Sequence, residues 1–438
     1  MTWCGKAAIA GALSFASAGL VIAQSSGGAG PVDPKGLTPA QLGGSSNQVT
    51  SGSGFNPAIS VIPDVLYYSD SASGDGLALL GRVDGFGSVH DHAEDHAGHS
   101  HGLDLERGFN LREVEVAFSG AVDPYFDVWA ILAVGPDGAE IEETFVQTRR
   151  LPGGLKLKLG KFYSDVGYLN KQHPHQWDFV DTALPYQLGL GGSLNETGLQ
   201  LTWLPKMPFY ALFGVEALQG ANEAVSSFVG PTEEQPLYED RAGPRLLTGF
   251  LKVAPDLGFN HALQVGAFGV RSLLHQQEWE VSHLEGKTWL LGTDLVYKYD
   301  APHLHGKGDL QAQAEYLYRV KDLASLADPE AAPPARHRFV QDGLYAQVRY
   351  GFAPRFTAAV RFDVAGLVNR LERSGGESES WESSQRWSAA IAFNPTEFSR
   401  IRVQGERCSL VVGGERKSFN QVFVQVQVSL GVHGAHRF

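Results

Sequence analysis

Short runs in which apolar and polar residues alternate recur along most of the chain, and turn-forming residues separate one run from the next. Residues 421–430 show the pattern clearly, because valines alternate there with polar residues. The valines are Val422, Val424, Val426 and Val428. Successive side chains of an extended strand point to opposite faces, so each run predicts a β-strand with one apolar and one polar face.

The links between these runs alternate in length. Sixteen runs can be placed, and the links after the second, fourth, sixth, eighth, twelfth and fourteenth are short, whereas those after the first, fifth, seventh, ninth, eleventh and thirteenth are long. In the second half of the chain the runs are 288–299, 309–319, 343–352, 356–364, 386–393, 400–406 and 421–430. Short turns at one end and longer loops at the other are typical of a transmembrane up-and-down barrel.

We therefore predict an all-β fold, an antiparallel transmembrane β-barrel of about 16 strands built from residues 57–438. The even strand number places both termini on the periplasmic side of a bacterial outer membrane, with membrane lipid around the wall. Mean hydropathy is only −0.15, which fits a barrel because half of each strand faces water. The expected mature chain has one cysteine, Cys408, so no disulfide framework is expected.

Two segments precede the predicted barrel. Residues 1–23 carry one charge, Lys6, followed by an apolar stretch, and predict a secretory signal peptide; a membrane anchor is the alternative. Residues 24–56 are rich in Gly, Ser and Pro and predict a flexible periplasmic lead-in.

The polar faces of the strands are expected to line the lumen, and sixteen strands leave room there for water. Both signs of charge occur on these faces. The residues assigned to the lumen are Glu113, Glu115, Lys156, Lys158, Arg319, Arg349, Arg361, Asp363 and Arg402. The mixture indicates either a wetted channel for small solutes or ions, or a salt-bridge network in a closed lumen.

A histidine-rich stretch lies in the predicted outer loop 85–104, between the first and second strands. Its candidate metal ligands are His90, Asp91, His92, His96, His99 and His101. Imidazole and carboxylate groups bind Zn²⁺, and imidazole also suits Cu²⁺ and Ni²⁺. Irregular spacing predicts a flexible chelating loop with no obligatory cofactor, and a solvated loop without a metal role is the alternative.

A second pair, His173 and His175, lies in the long segment 164–197 after the fifth strand. A long loop of this kind can fold into a barrel and narrow it. The two histidines are weaker metal candidates that would add ligands to the first loop, and packing beside their Pro and Trp neighbours is the alternative.

Three motifs carry a resemblance to a known family: residues 105–119 (LERGFNLREVEVAFS), 122–127 (VDPYFD) and 167–181 (GYLNKQHPHQWDFVD). They resemble a porin-like bacterial outer-membrane family whose members are often labelled zinc-regulated, TonB-dependent outer-membrane receptors. A plugged transporter of that kind needs a sizeable N-terminal domain, and residues 24–56 are too short for one, so we expect a barrel without a plug. The terminal Phe438 resembles the aromatic end that the barrel-insertion machinery reads.

Charge and motifs narrow the function further. The formal net charge is −13 and no basic patch stands out, so nucleic-acid binding is not expected. No catalytic motif is apparent, so we expect no enzyme. The sequence predicts a porin-like channel for small solutes or ions with a zinc-capturing outer loop. A closed-lumen metal-binding or structural barrel, a TonB-dependent zinc receptor and assembly into a homo-oligomer stay open.

Overall fold

The computed structural model describes residues 57–86, 105–136, 138–232, 236–279, 282–326 and 334–431. Within these ranges sixteen long strands make one antiparallel sheet. They are β1 Ala58–Asp70, β2 Gly108–Ala121, β3 Phe126–Gly135, β4 Gly138–Thr148, β5 Leu155–Tyr163, β6 Asn195–Trp203, β7 Tyr210–Leu218 and β8 Leu246–Ala254. The others are β9 His261–Ser272, β10 Ser282–Tyr299, β11 Leu310–Ser325, β12 Arg336–Ala353, β13 Phe356–Arg373, β14 Ser384–Thr396, β15 Ser399–Val412 and β16 Glu415–Val428.

The sheet closes on itself through β1. This strand pairs with β2, where Ile62 lies opposite Glu115, and also with β16, where Asp64 lies opposite Gln427. Each remaining strand pairs with its neighbours in sequence. A closed sheet of this kind has no free edge, and the predicted sixteen-stranded antiparallel barrel is confirmed.

The remaining elements are short. Strands His275–Trp279, Ser378–Ser380 and Leu430–Gly431 extend the sheet beside β10, β13 and β1, respectively. Helices α1 and α2 span Leu184–Leu190 and Glu223–Ser226. Single 3₁₀ turns cover Leu80–Arg82, Pro152–Gly154, Pro174–Gln176 and Leu304–Gly306. No helix in the described ranges is long and apolar enough to span a membrane.

We call the end of the barrel that carries links 71–107, 164–194 and 219–245 the loop end, and the opposite end the turn end. The predicted signal peptide 1–23, the lead-in 24–56, most of the loop 85–104 with all of its histidines, and Phe438 lie outside the described residues.

The two faces of the wall differ in polarity as the alternation predicts. On β16, Val424 is 37% exposed on the outer face, whereas the adjacent Gln425 is 1% exposed on the inner face. On β13, Val360 is exposed outside and Arg361 is buried inside. An apolar outer face over a polar lumen is the arrangement that hydrocarbon requires of a barrel.

Exposed aromatic side chains mark the turn end. They are Tyr125, Phe126, Trp203, Phe209, Phe259, Tyr350, Phe352, Phe356 and Phe398. Aromatic girdles of this kind lie where the apolar band of a membrane barrel meets the polar interface.

The sequence placed several strand ends wrongly at the loop end. Strands β12, β13, β15 and β16 reach well beyond the predicted 343–352, 356–364, 400–406 and 421–430, and links 136–137 and 413–414 have only two residues. The extended parts carry charges that pair across strands, for example Arg336 Nε, which donates to Asp322 Oδ1 at 2.6 Å. In these extended parts apolar side chains such as Phe339 and Leu371 are buried inside and charged ones such as Arg338 and Arg370 are exposed outside, so the polarity of the two faces is the reverse of that expected for a membrane wall.

The outer face yields a direct test. Changing Val424 to Arg places a charge in the middle of the apolar face, and we expect it to lower the free energy of unfolding in lipid vesicles by about 2–4 kcal/mol. Leu304 is equally apolar and more exposed, but it lies in a turn-end link. Leu304→Arg should cost only about 0–1 kcal/mol. Equal costs in denaturant titrations of the two variants would contradict a lipid-facing wall.

Candidate functional site

The lumen is occupied by residues 164–194, the link between β5 and β6, which we call the luminal segment. Most of its residues are buried, including all but one residue of α1. Asn170 ties its two ends together, donating to the carbonyls of Ser164 and Leu194 at 2.8 and 3.0 Å and accepting from the Leu194 N–H at 2.7 Å. The long link that the sequence marks as able to fold into the barrel thus lies inside it.

One anchor of the luminal segment is Glu315 on β11. Its carboxylate accepts hydrogen bonds from the backbone N–H groups of Tyr168 and Leu169, both at 2.9 Å, and from the Tyr186 hydroxyl at 2.8 Å. Gly167 makes this approach possible: its φ is +64°, and a Cβ there would lie 2.4 Å from a Glu315 oxygen. The first half of the segment is thus fixed to the wall through its backbone.

A second anchor is a row of arginines on β12 to β15, which we call the arginine wall: Arg349, Arg361, Arg386, Arg400 and Arg402. They bind the middle of the luminal segment through its carbonyls and carboxylates. Arg400 Nη1 and Arg402 Nη2 donate to the Trp177 carbonyl at 3.1 and 2.5 Å.

Asp181 is the central acceptor on the luminal segment. Its carboxylate lies 2.9 Å from Arg361 Nη2 and 2.5 Å from Arg386 Nη1, and it also accepts from Gln404 Nε2 at 2.9 Å. Burial opposes its ionisation, but the two guanidinium groups outweigh burial and lower the pKa of Asp181 to about 2. Asp363 lies 3.0 Å from Nε of both arginines and completes a buried ionic network.

A separate part of the lumen holds two histidines and three carboxylates. His173 Nε2 lies 2.9 Å from Glu143 Oε2, while His173 Nδ1 lies 3.2 Å from Glu142 Oε2 and 3.5 Å from Glu115 Oε2. His175 Nδ1 lies 2.8 Å from the same Glu115 oxygen. We call these five buried residues the His–Glu cluster.

A β-bulge in β4 creates the acidic half of the cluster. Glu143 lies opposite Ile131 and Ile141 lies opposite Leu132, so Glu142 is an extra residue between them. Strict alternation would turn Glu142 to the outer face, but the bulge leaves both consecutive glutamates buried. The sequence reasoning missed this pair; two adjacent glutamates inside an otherwise alternating run were the available signal.

The charge of the cluster favours a bound proton or cation. Burial opposes a positive charge on His173, but Glu142 and Glu115 outweigh it and raise the pKa of His173 well above its usual range. One imidazole and two carboxylates are also common metal ligands. The described partners of His173 and His175 are carboxylates of the wall, and the idea that the pair adds ligands to the first loop stays a prediction.

The residues assigned to the lumen all lie on its wall. Arg319, Arg361, Asp363 and Arg402 are buried in contacts with the luminal segment or with each other, and Glu115 belongs to the His–Glu cluster. Lys158 Nζ lies 4.8 and 4.9 Å from the ring centres of Phe145 and Phe162. Glu113 and Arg349 are partly exposed and Lys156 is exposed. The sequence analysis did not assign Arg386 and Arg400 to the lumen, because it considered only some of the inward-facing positions of the strands.

A small cavity of about 20 Å³, enough for one or two water molecules, lies beside the arginine wall. It is lined by Asp178, Arg349, Thr357, Ala359, Ala390, Ala392, Asn394, Arg400 and Arg402. The luminal segment supplies Asp178 to the lining of this cavity.

The link that carries the histidine-rich stretch also contacts the barrel mouth. Its described parts are residues 71–86 and 105–107, and Asp84 accepts hydrogen bonds from the N–H groups of Gly413 and Gly414, both at 2.8 Å. The candidate ligands themselves, His90, Asp91, His92, His96, His99 and His101, lie outside the described residues.

No known protein-family profile matches the chain. A protein of Aquifex aeolicus strain VF5, described as uncharacterized, is 37% identical over 350 residues, which cover 78% of this chain and 73% of that protein. The chain belongs to the family of this Aquifex protein. That relationship assigns no activity.

Solved structures share the barrel fold at low sequence identity. The outer membrane channel DcaP of Acinetobacter baumannii matches with a TM-score of 0.51 and 13% identity over 86% of this chain and 96% of that one. OprB of Pseudomonas putida matches with a TM-score of 0.48 and 10% identity over 86% and 94%. The resemblance to zinc-regulated receptors stays a prediction.

The ion pairs of Asp181 with the arginine wall offer a way to loosen the luminal segment by mutation. Asp181→Ala leaves two buried arginines short of a carboxylate, which should weaken the anchor by about 3 kcal/mol. Amide hydrogen exchange in residues 164–194 should then accelerate by roughly 100-fold. Gln187→Ala is the matched control, because Gln187 bonds only within the segment. Unchanged exchange in the Asp181 variant would show that the apolar contacts of the segment hold it alone.

Proposed function

We propose that this protein is an outer-membrane barrel through which small solutes or ions cross. The observation that carries the proposal is the reversal of polarity across one closed wall, with apolar side chains outside and charged side chains inside. A charged lining lowers the barrier that hydrocarbon would present to a polar solute. Lys156 lies on the inner face of β5 and is exposed, which supports the proposal that water reaches the charged lining.

The luminal segment would set the size limit of such a channel. It brings Asp178 to within 3.4 Å of Arg349, at a cavity large enough for one or two water molecules. The chain shares its fold with a protein described as an outer membrane channel, which supports the same class of function. We expect narrow passage, with arginines and carboxylates facing each other across the constriction.

A closed-lumen barrel is the second candidate. Its support is the burial of luminal polar groups, since Gln404, Arg361 and Asp363 are each no more than 2% exposed. Charges buried this way act as a structural network rather than as a solute path. A plugged, TonB-dependent receptor has no comparable support among the described residues, where the lumen is occupied by a link between strands.

Single-channel recording in planar bilayers separates the two candidates. We expect small, stable conductance steps from the wild-type barrel and larger steps after residues 172–188 are replaced by a short Gly/Ser linker. Asp181→Ala should fall between them, and Gln187→Ala should match the wild type. A silent wild type beside a conducting shortened variant would contradict the channel and favour the closed-lumen barrel.

We also propose that His90, His92, His96, His99 and His101 capture Zn²⁺ at the loop end, with Asp91 adding negative charge. Replacing the five histidines by Ala should reduce the number of Zn²⁺ ions bound at neutral pH, measured calorimetrically. Binding by the loop should weaken below about pH 6.5, as imidazole protonates. The control variant replaces His303 and His305 by Ala, because both lie in a link at the turn end, away from the proposed loop site. An unchanged zinc stoichiometry in the loop variant would exclude this loop as a site.

A further inference from the structure

The His–Glu cluster has the geometry of a metal site inside the lumen. A zinc ion about 2.0–2.2 Å from each of its ligands, in tetrahedral geometry, separates the ligand atoms by about 3.4 Å. His173 Nδ1 lies 3.2 Å from Glu142 Oε2 and 3.5 Å from Glu115 Oε2. One ligand atom from each residue lies within 4.8 Å of the other two.

Two of these three atoms have no hydrogen-bond partner among the described residues. They are Glu142 Oε2 and His173 Nδ1, and the His173 side chain is more than nine-tenths buried. The two atoms lie 3.2 Å apart. A buried carboxylate oxygen and ring nitrogen without partners are costly unless a cation or proton lies between them.

The surrounding groups hold the ligands in place. The Tyr163 hydroxyl donates to Glu142 Oε1 at 2.5 Å, which leaves Oε2 to face the site. The Tyr163 N–H donates to Glu143 Oε1 at 2.9 Å, and Glu143 Oε2 lies 2.9 Å from His173 Nε2. A proton on Nε2 shared with Glu143 leaves the Nδ1 lone pair free for a metal, the carboxylate–histidine–metal arrangement seen around protein-bound zinc.

We infer that Glu115, Glu142 and His173 form a three-ligand site for one divalent transition-metal ion of the Zn²⁺ class, oriented by Glu143 and Tyr163. Two carboxylate ligands neutralise the charge of the ion, which suits a buried position. The imidazole ligand favours Zn²⁺ over Mg²⁺ and Ca²⁺, which prefer oxygen ligands alone. This inference goes beyond the proposed function, because the site needs neither solute flow nor the histidine-rich loop.

The test uses the full-length barrel in detergent, with His90, His92, His96, His99 and His101 replaced by Ala so that the loop does not contribute. After chelator treatment, calorimetric titration with Zn²⁺ at neutral pH should show one tightly bound ion per chain. Circular dichroism and heat-dependent gel migration confirm that each variant is folded. Conductance is measured separately, so a silent channel leaves this result interpretable.

Variants in that background identify the ligands. Glu142→Gln and His173→Gln should each weaken Zn²⁺ binding by more than about 100-fold, and Glu143→Gln by roughly 10- to 100-fold. His275→Gln is the matched control, since His275 is a fully buried imidazole bonded to Thr288 and Gln277 elsewhere in the barrel. Its zinc affinity should be unchanged. If Glu142→Gln does not fold, Glu115→Gln replaces it.

A second readout uses Co²⁺ in place of Zn²⁺. Four-coordinate Co²⁺ absorbs visible light strongly, and this absorption should appear in the loop-free background and vanish in His173→Gln. Absence of stoichiometric Zn²⁺ binding in the folded background would overturn the inference and assign the cluster to a proton on His173 held by carboxylates. Binding that survives both ligand variants would overturn it equally.

Discussion

Every backbone polar group of a membrane-spanning strand has to find a hydrogen-bond partner within the protein, because hydrocarbon offers none. The barrel meets this constraint by pairing β1 with both β2 and β16, so that the sheet has no edge. The remaining features follow from that closure. A closed wall has one face toward lipid and one toward an enclosed space, and only the enclosed face can carry charge at low cost.

The enclosed face is stabilised by ions that would be unfavourable on the outer one. Arg361 and Asp363 on β13 and Arg386 on β14 form a buried network with Asp181. Asp181 belongs to the luminal segment, which lies much earlier in the sequence than these strands. Each of these four charges lies within 3.0 Å of an opposite charge, which offsets the cost of their desolvation. The wall and the segment therefore stabilise each other: without the segment the arginines lose a carboxylate, and without the arginines the segment loses its anchor.

The His–Glu cluster shows how a local irregularity makes a site. A regular strand would offer one inward side chain from the pair Glu142 and Glu143, whereas the bulge in β4 offers both. The histidines are on the luminal segment, where His173 precedes the 3₁₀ turn Pro174–Gln176 and His175 lies within it. In this cluster the wall supplies the carboxylates and the luminal segment supplies the histidines. The luminal segment thus contacts the arginine wall in one part of the lumen and the carboxylates of the His–Glu cluster in another.

The sequence by itself determined the strands, their faces and the closed barrel, because alternation is a local property of residues two apart. It also identified 164–197 as a segment able to enter the lumen, and placed Glu115, Arg361 and Asp363 on the inner face. The tertiary structure alone decided which wall residues His173 and His175 meet, since that depends on the path of the segment. It also decided that Glu142 faces inward, because a bulge breaks the period from which orientation was read. Strand ends at the loop end needed the structure as well, since the charged residues there lie on the outer face and apolar residues such as Phe339 and Leu371 on the inner one, the reverse of the pattern from which the strands were predicted.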